Sequence, residues 1–153
     1  MEKITCTTWN NHYLDEAIQL YLDVFTKDPW NDDITYDDIT SYFERLLHMN
    51  TFEGYIALSE SGALLAVSVG FIRPWYKGIE YHLDSFYMAS DYQGKGVGTV
   101  FLNAIKKALC QKNIPSIVLD TDMGYPAEYF YRKNGFEQSE NGVTLYGSTK
   151  NPS

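Results

Sequence analysis

Apolar positions along this chain follow a helical period first and a strand period afterwards. Leu14, Ala17, Ile18, Tyr21, Leu22 and Phe25 mark one face of a first helix. The run Asp28-Pro29-Trp30-Asn31-Asp32-Asp33 then breaks it. Thr35, with Asp38 three residues on, resembles a capping box opening a second helix whose inner face is Ile39, Tyr42, Phe43, Leu46 and Leu47. Residues 55–58, 64–72 and 79–88 are β-rich runs separated by Ser59-Glu60-Ser61-Gly62 and Trp75-Tyr76-Lys77-Gly78, which predicts an antiparallel meander. Helical spacing returns at Val100, Phe101, Ala104, Ile105, Ala108 and Leu109. A buried strand follows over 115–120, and then a short helix starting at Pro126 and ending at Asn134-Gly135. A strand over 3–7 opens the chain, and a hairpin over 136–138 and 143–146 around Asn141-Gly142 closes it. The expected order is β-α-α-β-β-β-α-β-α-β-β.

At 153 residues the chain fits one domain, 1–153, with no linker, internal repeat or low-complexity tract. Hydrophobic residues make up 44% and aromatics 16%, a globular composition. The longest apolar stretch, 63–72, is interrupted by Ser68 and Gly70 and is too short to span a bilayer. Met1-Glu2-Lys3 leads into a strand rather than a signal segment, so a cytoplasmic protein without a membrane partner is expected. Cys6 and Cys110 are too few for a disulfide framework, and with three scattered histidines no metal site is expected. The net charge of −8 argues against a nucleic-acid partner and favours cationic small molecules. It equally suits a protein that is acidic only to stay in solution.

The most informative stretch is Gln93-Gly94-Lys95-Gly96-Val97-Gly98, followed by Thr99, where a strand hands over to a helix. Glycine lets the backbone approach a ligand and tolerates positive φ, and a helix start offers unpaired N–H groups and a positive dipole end. No Ser, Thr, Asp or Asn stands at the cap position of the helix that follows, and a phosphate would supply the missing acceptor. The P-loop spacing is absent, and Thr99 stands where the dinucleotide fingerprint needs its third glycine. Gln-x-x-Gly-x-Gly after Phe86-Tyr87-Met88 resembles the acyl-CoA pyrophosphate loop of the GNAT N-acetyltransferases. Downstream, Ala127-Glu128-Tyr129-Phe130-Tyr131-Arg132-Lys133-Asn134-Gly135-Phe136 resembles that family's Ala-x-x-x-Tyr-x-x-x-Gly-Phe segment.

The resemblance implies a GNAT fold of mixed α/β class: a central, mostly antiparallel sheet with a V-shaped splay, flanked by about four helices. It implies acetyl-CoA as acetyl donor, with Gln93 to Thr99 at the pyrophosphate and the main chains of Phe86 and Met88 at the pantetheine and acetyl carbonyl. Alternation puts Glu80, His82 and Asp84 on one face of the same strand and Tyr81, Leu83 and Ser85 on the other, unless a bulge intervenes. An amine acceptor arrives as an ammonium ion and must lose a proton before it attacks. Asp84 is the first candidate to take it, four residues before Met88, where several amine-modifying members carry an acidic residue, usually Glu. Glu80 and His82 stand in reserve. Tyr131 occupies the position that in many members protonates the departing CoA thiolate. Gly124 stands where the family often has Asn, so one side-chain contact to the CoA arm is lost or replaced by backbone.

The acceptor pocket of this fold is usually framed by the first two helices and their connection. Asp28, Trp30, Asp32 and Asp33 lie in that connection, with Trp75 and His82 as further candidates around a small cationic amine. An acyl-CoA-binding sensor without catalysis is the alternative function, since a fold alone does not fix one. A dinucleotide-binding protein, suggested by Asp120 after its strand, is a further alternative. The acceptor's identity and a homodimer stay open at this point.

Overall fold

A computed structural model describes residues 3–150. It divides into two compact units, the first running to Asp120 and the second beginning at Thr121.

The first unit is built on a five-stranded sheet in the order β1-β2-β3-β4-β5. Its strands are β1 (Thr5–Thr8), β2 (Phe52–Leu58), β3 (Leu64–Trp75), β4 (Gly78–Met88) and β5 (Ile117–Val118). Neighbours run antiparallel except β4 and β5, which pair in parallel at Tyr81↔Ile117 and His82↔Val118. α1 (Leu14–Phe25) and α2 (Tyr36–Leu47) lie between β1 and β2 in sequence, and α3 (Val97–Gln111) between β4 and β5. The capping box expected at α2 forms, with the Thr35 side chain accepting from the Asp38 N–H and the Asp38 carboxylate accepting from the Thr35 N–H.

One face of the sheet carries Ile56, Val67, Val69 and Tyr87 into a core with Ala17, Ile18 and Val24 of α1 and Ile39, Phe43 and Leu46 of α2. Removing side chains such as Ile18 and Phe43 from water stabilises the unit by about 1.5–3 kcal/mol each before entropy is counted. The Tyr87 hydroxyl, at the back of this core, donates to the Ala17 carbonyl at 2.7 Å. Phe86 points the other way, as the next residue in a strand must, and stacks on Phe101 of α3 at 5.4 Å.

Regular pairing of β3 with β4 breaks once. Val69 faces Ser85 and Gly70 faces Leu83, leaving Asp84 as a surplus residue, a β-bulge. Gly70 permits it by close approach: a Cβ there would lie 1.9 Å from the His82 carbonyl oxygen.

In the second unit, α4 (Pro126–Lys133) begins with Pro in its first turn and is followed by Gly135 at φ +92°, both as expected. Its Tyr131 ring lies 5.5 Å from Phe130 and 5.4 Å from Phe136.

Two expectations need correction. The closing hairpin does not form: residues 136–150 carry no strand, and Val143, Leu145 and Tyr146 are 80%, 84% and 95% exposed. Glu137, Gln138, Ser139 and Glu140 leave the first arm with one apolar residue, and a two-stranded hairpin without an apolar face is marginal in water. The strand expected over 115–120 contracts to Ile117–Val118, because Pro115 has no N–H to offer a ladder.

Candidate active site

The sheet opens where β4 runs past β5. Among the described residues β5 pairs with β4 at Tyr81 and His82, and from Leu83 onward β4 is laddered only to β3. The N–H of Ala89 donates to Leu65 of β3 at 2.8 Å, so alternation turns the N–H and C=O of Met88, and likewise those of Phe86, away from β3. The Gln93 side chain follows Met88 into this opening and donates to its carbonyl at 3.2 Å. β4 therefore has an edge unpaired by β5 from Leu83 onward, with main-chain groups of Phe86 and Met88 along it, the place where the expected splay would lie.

The glycine loop leaves the same end of β4. Gly94 and Gly96 have φ of +75° and +82°, the left-handed region, and a Cβ at either would meet nothing within 4 Å. Gly96 is the N-cap of α3; no side chain caps that helix, and no acidic residue occupies its first turn. An open concavity of backbone N–H groups at an uncapped helix start suits an anionic group such as the pyrophosphate of acetyl-CoA. Lys95 is exposed beside it, whereas Val97 and Gly98 are buried and anchor the helix start.

Asp84 has a setting that sequence alternation did not reveal. The bulge turns Asp84 and Ser85, consecutive in sequence, to the same face, where both meet the hydroxyl of Tyr42 on α2. Tyr42 donates to Asp84 Oδ2 at 2.5 Å and lies 2.6 Å from Ser85 Oγ. Placing Ser85 on the opposite face is thus corrected. Burial and then the neighbouring Asp84 push the Tyr42 phenol well above its ordinary value, so it keeps its proton. Burial likewise raises Tyr21 of α1; a hydrogen bond with Ser85 opposes that shift, and the charges of Asp32 and Asp84 add to it. The negative charges of Asp32 and Asp84 thus both act on the Tyr21 phenol, and Asp32 itself is exposed.

The His82 ring stacks on Phe71 at 4.8 Å, its Nε2 lies 3.9 Å from Asp84 Oδ1, and its buried Nδ1 has no hydrogen-bond partner among the described residues. The Asp84 side chain is 35% exposed, accessible yet partly enclosed. Glu80 is held away from it by Arg73, whose Nη2 lies 2.5 Å from its Oε1.

The other candidates are distributed unevenly. Asp28 accepts from the Asn31 side chain at 2.6 Å and so shapes the turn, while Asp33 is exposed. Trp30 packs edge-on to Phe25 at 5.1 Å and borders the core. Trp75 is not brought to this group: it sits at the β3–β4 tip against Tyr76 at 4.9 Å, with Lys77 5.8 Å from its ring. Six residues separate its partner Gly78 from Asp84, roughly 20 Å of extended strand. In the second unit Tyr131 is 8% exposed, and burial raises its phenol well above the ordinary range. Tyr21, Tyr42 and Ser85 escaped sequence reasoning. Tyr21 and Tyr42 sit on inner helix faces and read as core, and only a hydroxyl on such a face could have signalled more.

Residues 14–136 match the Acetyltransferase (GNAT) family. No curated protein matches the chain by sequence. Among solved structures, the aminoglycoside N-acetyltransferase AAC(6')-Iy in complex with CoA is 17% identical with a TM-score of 0.75, over 97% of each chain. An aminoglycoside acetyltransferase from an uncultured soil metagenomic sample, in complex with sisomicin, is 17% identical with a TM-score of 0.73, over 96% of this chain and 97% of that one. A GNAT family acetyltransferase from Staphylococcus aureus is 16% identical with a TM-score of 0.69, over 95% of this chain and 99% of that one. At these identities the likeness concerns the fold.

Proposed function

We propose that this chain, which belongs to the GNAT acetyltransferase family and is an N-acetyltransferase that uses acetyl-CoA, acts on a primary amine of a small cationic molecule by direct transfer. The observation that carries this reading is the grouping of Asp84 with His82, Tyr42 and Ser85 beside the stretch of β4 that β5 leaves unpaired. The partly exposed Asp84 carboxylate offers an ammonium group a counter-charge, and the net charge of −8 adds long-range attraction. The complex of one structural neighbour with sisomicin agrees in kind with such an acceptor, and that of another with CoA agrees with the donor. The family match runs through both compact units, which supports reading residues 1–153 as one catalytic domain.

Acetyl-CoA supplies an activated thioester when bound. The N–H groups of the glycine loop and the start of α3 would hold its pyrophosphate, and the main chains of Phe86 and Met88 would take the pantetheine arm. The outward N–H of Met88 would be the oxyanion-type donor to the acetyl carbonyl. Asp84 Oδ1 accepts a proton from the acceptor ammonium, leaving a nitrogen lone pair free to attack. His82 Nε2 borders the same nitrogen. Tyr131, kept protonated, returns a proton to the departing thiolate; its motif position and its protonation support that role.

The deciding experiment measures CoA release with a panel of primary amines, for the parent protein and for Asp84→Asn. Turnover fastest with small polycations and lowered by about 10²-fold or more in Asp84→Asn is expected. A neutral or anionic best acceptor, or full activity in Asp84→Asn, would overturn the reading.

A further inference from the structure

We propose that Tyr42 is a positioning residue for Asp84: with Ser85 it holds the carboxylate so that Oδ2 is engaged and Oδ1 alone faces the acceptor amine. The proposal rests on the reading of Asp84 as the group that takes the amine's proton.

A carboxylate accepts hydrogen bonds, and a phenol has one proton to give. The Tyr42 proton, at 2.5 Å, therefore belongs to Asp84 Oδ2, and Ser85 Oγ, at 2.6 Å, is left to donate back to the Tyr42 oxygen. The ring that carries this hydroxyl is fixed. It packs edge-on to Phe43 at 5.5 Å and tilts against Tyr21 at 6.0 Å, both within the helix-covered core. The hydroxyl is thus a rigid anchor built on α2, whereas Asp84 is a partly exposed side chain on a bulge.

Oδ1 has no comparable tether. Its neighbour is His82 Nε2 at 3.9 Å, beyond hydrogen-bonding distance. The charged and titratable groups around it are Tyr42 from α2 and His82 from β4, with Ser85 bonded to Tyr42, and the charges of Asp84 and Asp32 are felt at Tyr21 of α1. Among the described residues, the hydrogen bond to Oδ2 comes from Tyr42. Without the phenol the carboxylate turns freely about its two side-chain torsions, and misplacement by about 1 Å can cost on the order of 10²-fold in rate.

The test is a mutant cycle read against a cationic amine acceptor. Tyr42→Phe keeps the ring and removes the hydroxyl; it should lower kcat/KM for the acceptor by roughly 10–50-fold, with acetyl-CoA affinity unchanged and Tm lowered by only a few degrees (roughly 2–6 °C). Ser85→Ala should give a smaller loss of about 3-fold, and it carries the test by itself if Tyr42→Phe does not fold. In an Asp84→Ala background, where no acceptor oxygen remains, Tyr42→Phe should add nothing, because both changes break one unit. Equal losses in both backgrounds would show a packing role and overturn the proposal. Parent-like kinetics in Tyr42→Phe, with Asp84→Asn inactive, would overturn the positioning role alone. Full activity in Asp84→Asn would remove the reading of Asp84 and this proposal with it.

Discussion

The glycine loop and the Tyr42–Asp84 pocket flank the same strand, yet they are made in opposite ways. The loop presents main-chain groups from one short run, Gln93 to Thr99, with Gly94 and Gly96 at positive φ and its helix without a side-chain cap. The Tyr42–Asp84 group is assembled from side chains at positions 42, 82, 84 and 85, brought together by a helix and a bulge. Backbone recognition survives most side-chain changes and fails when the backbone itself is obstructed. Side-chain recognition is tunable atom by atom, and so is the part of the protein able to define its own acceptor.

The sharpest way to break the contrast is Gly96→Asp. A charged side chain at φ +82° strains the turn and puts negative charge where the pyrophosphate belongs, so acetyl-CoA affinity should fall by about 10³-fold, or several kcal/mol. Calorimetry on the folded variant checks this, and unchanged affinity would mean that the loop is not the phosphate site. Next in size is Tyr131→Phe, expected to lower kcat by on the order of 10²-fold while acetyl-CoA binding persists. Steady-state kinetics with direct binding separate the two, and an unaltered kcat would remove Tyr131 from the chemistry.

Gly70→Ala probes the scaffold of the pocket alone. A methyl group 1.9 Å from the His82 carbonyl must push β3 from β4, costing about 1–3 kcal/mol and lowering Tm by roughly 2–10 °C. Acceptor KM should rise while the loop keeps its ligand; a parent-like Tm would show that the bulge does not depend on that close approach. The smallest effect is expected from replacing Asp28, Asp32 and Asp33 together by Asn, a rise of about 5-fold in acceptor KM, since exposed charges are screened over about 8 Å. Asp32 should account for most of it, because Asp28 is engaged by Asn31. Added salt should reproduce the loss in the parent protein, and a KM indifferent to both would leave the connection as a solvated loop.

What could be read beforehand follows the same division. The helices announced themselves through apolar spacing, the Thr35 cap through its partner Asp38, and the loop through glycines at a strand-to-helix junction, all signals a few residues long. The Tyr42 contact spans 42 residues of sequence and depends on a bulge that no periodicity encodes. Alternation alone put Ser85 on the wrong face for that reason. The closing hairpin was over-read, because Asn141-Gly142 favours a turn whether or not its arms have a face to bury. Trp75 was grouped with the acidic connection by aromatic character, which says nothing of distance along a strand.

The surplus residue in β4 has a consequence for how this protein can change length. Asp84 has no partner on β3, while Val69–Ser85 and Gly70–Leu83 continue the ladder on either side of it. Excising that one codon would heal the ladder, keep every other pairing in place and leave Phe86 and Met88 facing outward, yielding a more regular sheet with an empty reaction centre. On the proposed role of Asp84 the irregular strand is the one that works, and a drift toward better-ordered β structure would cost activity while keeping the fold.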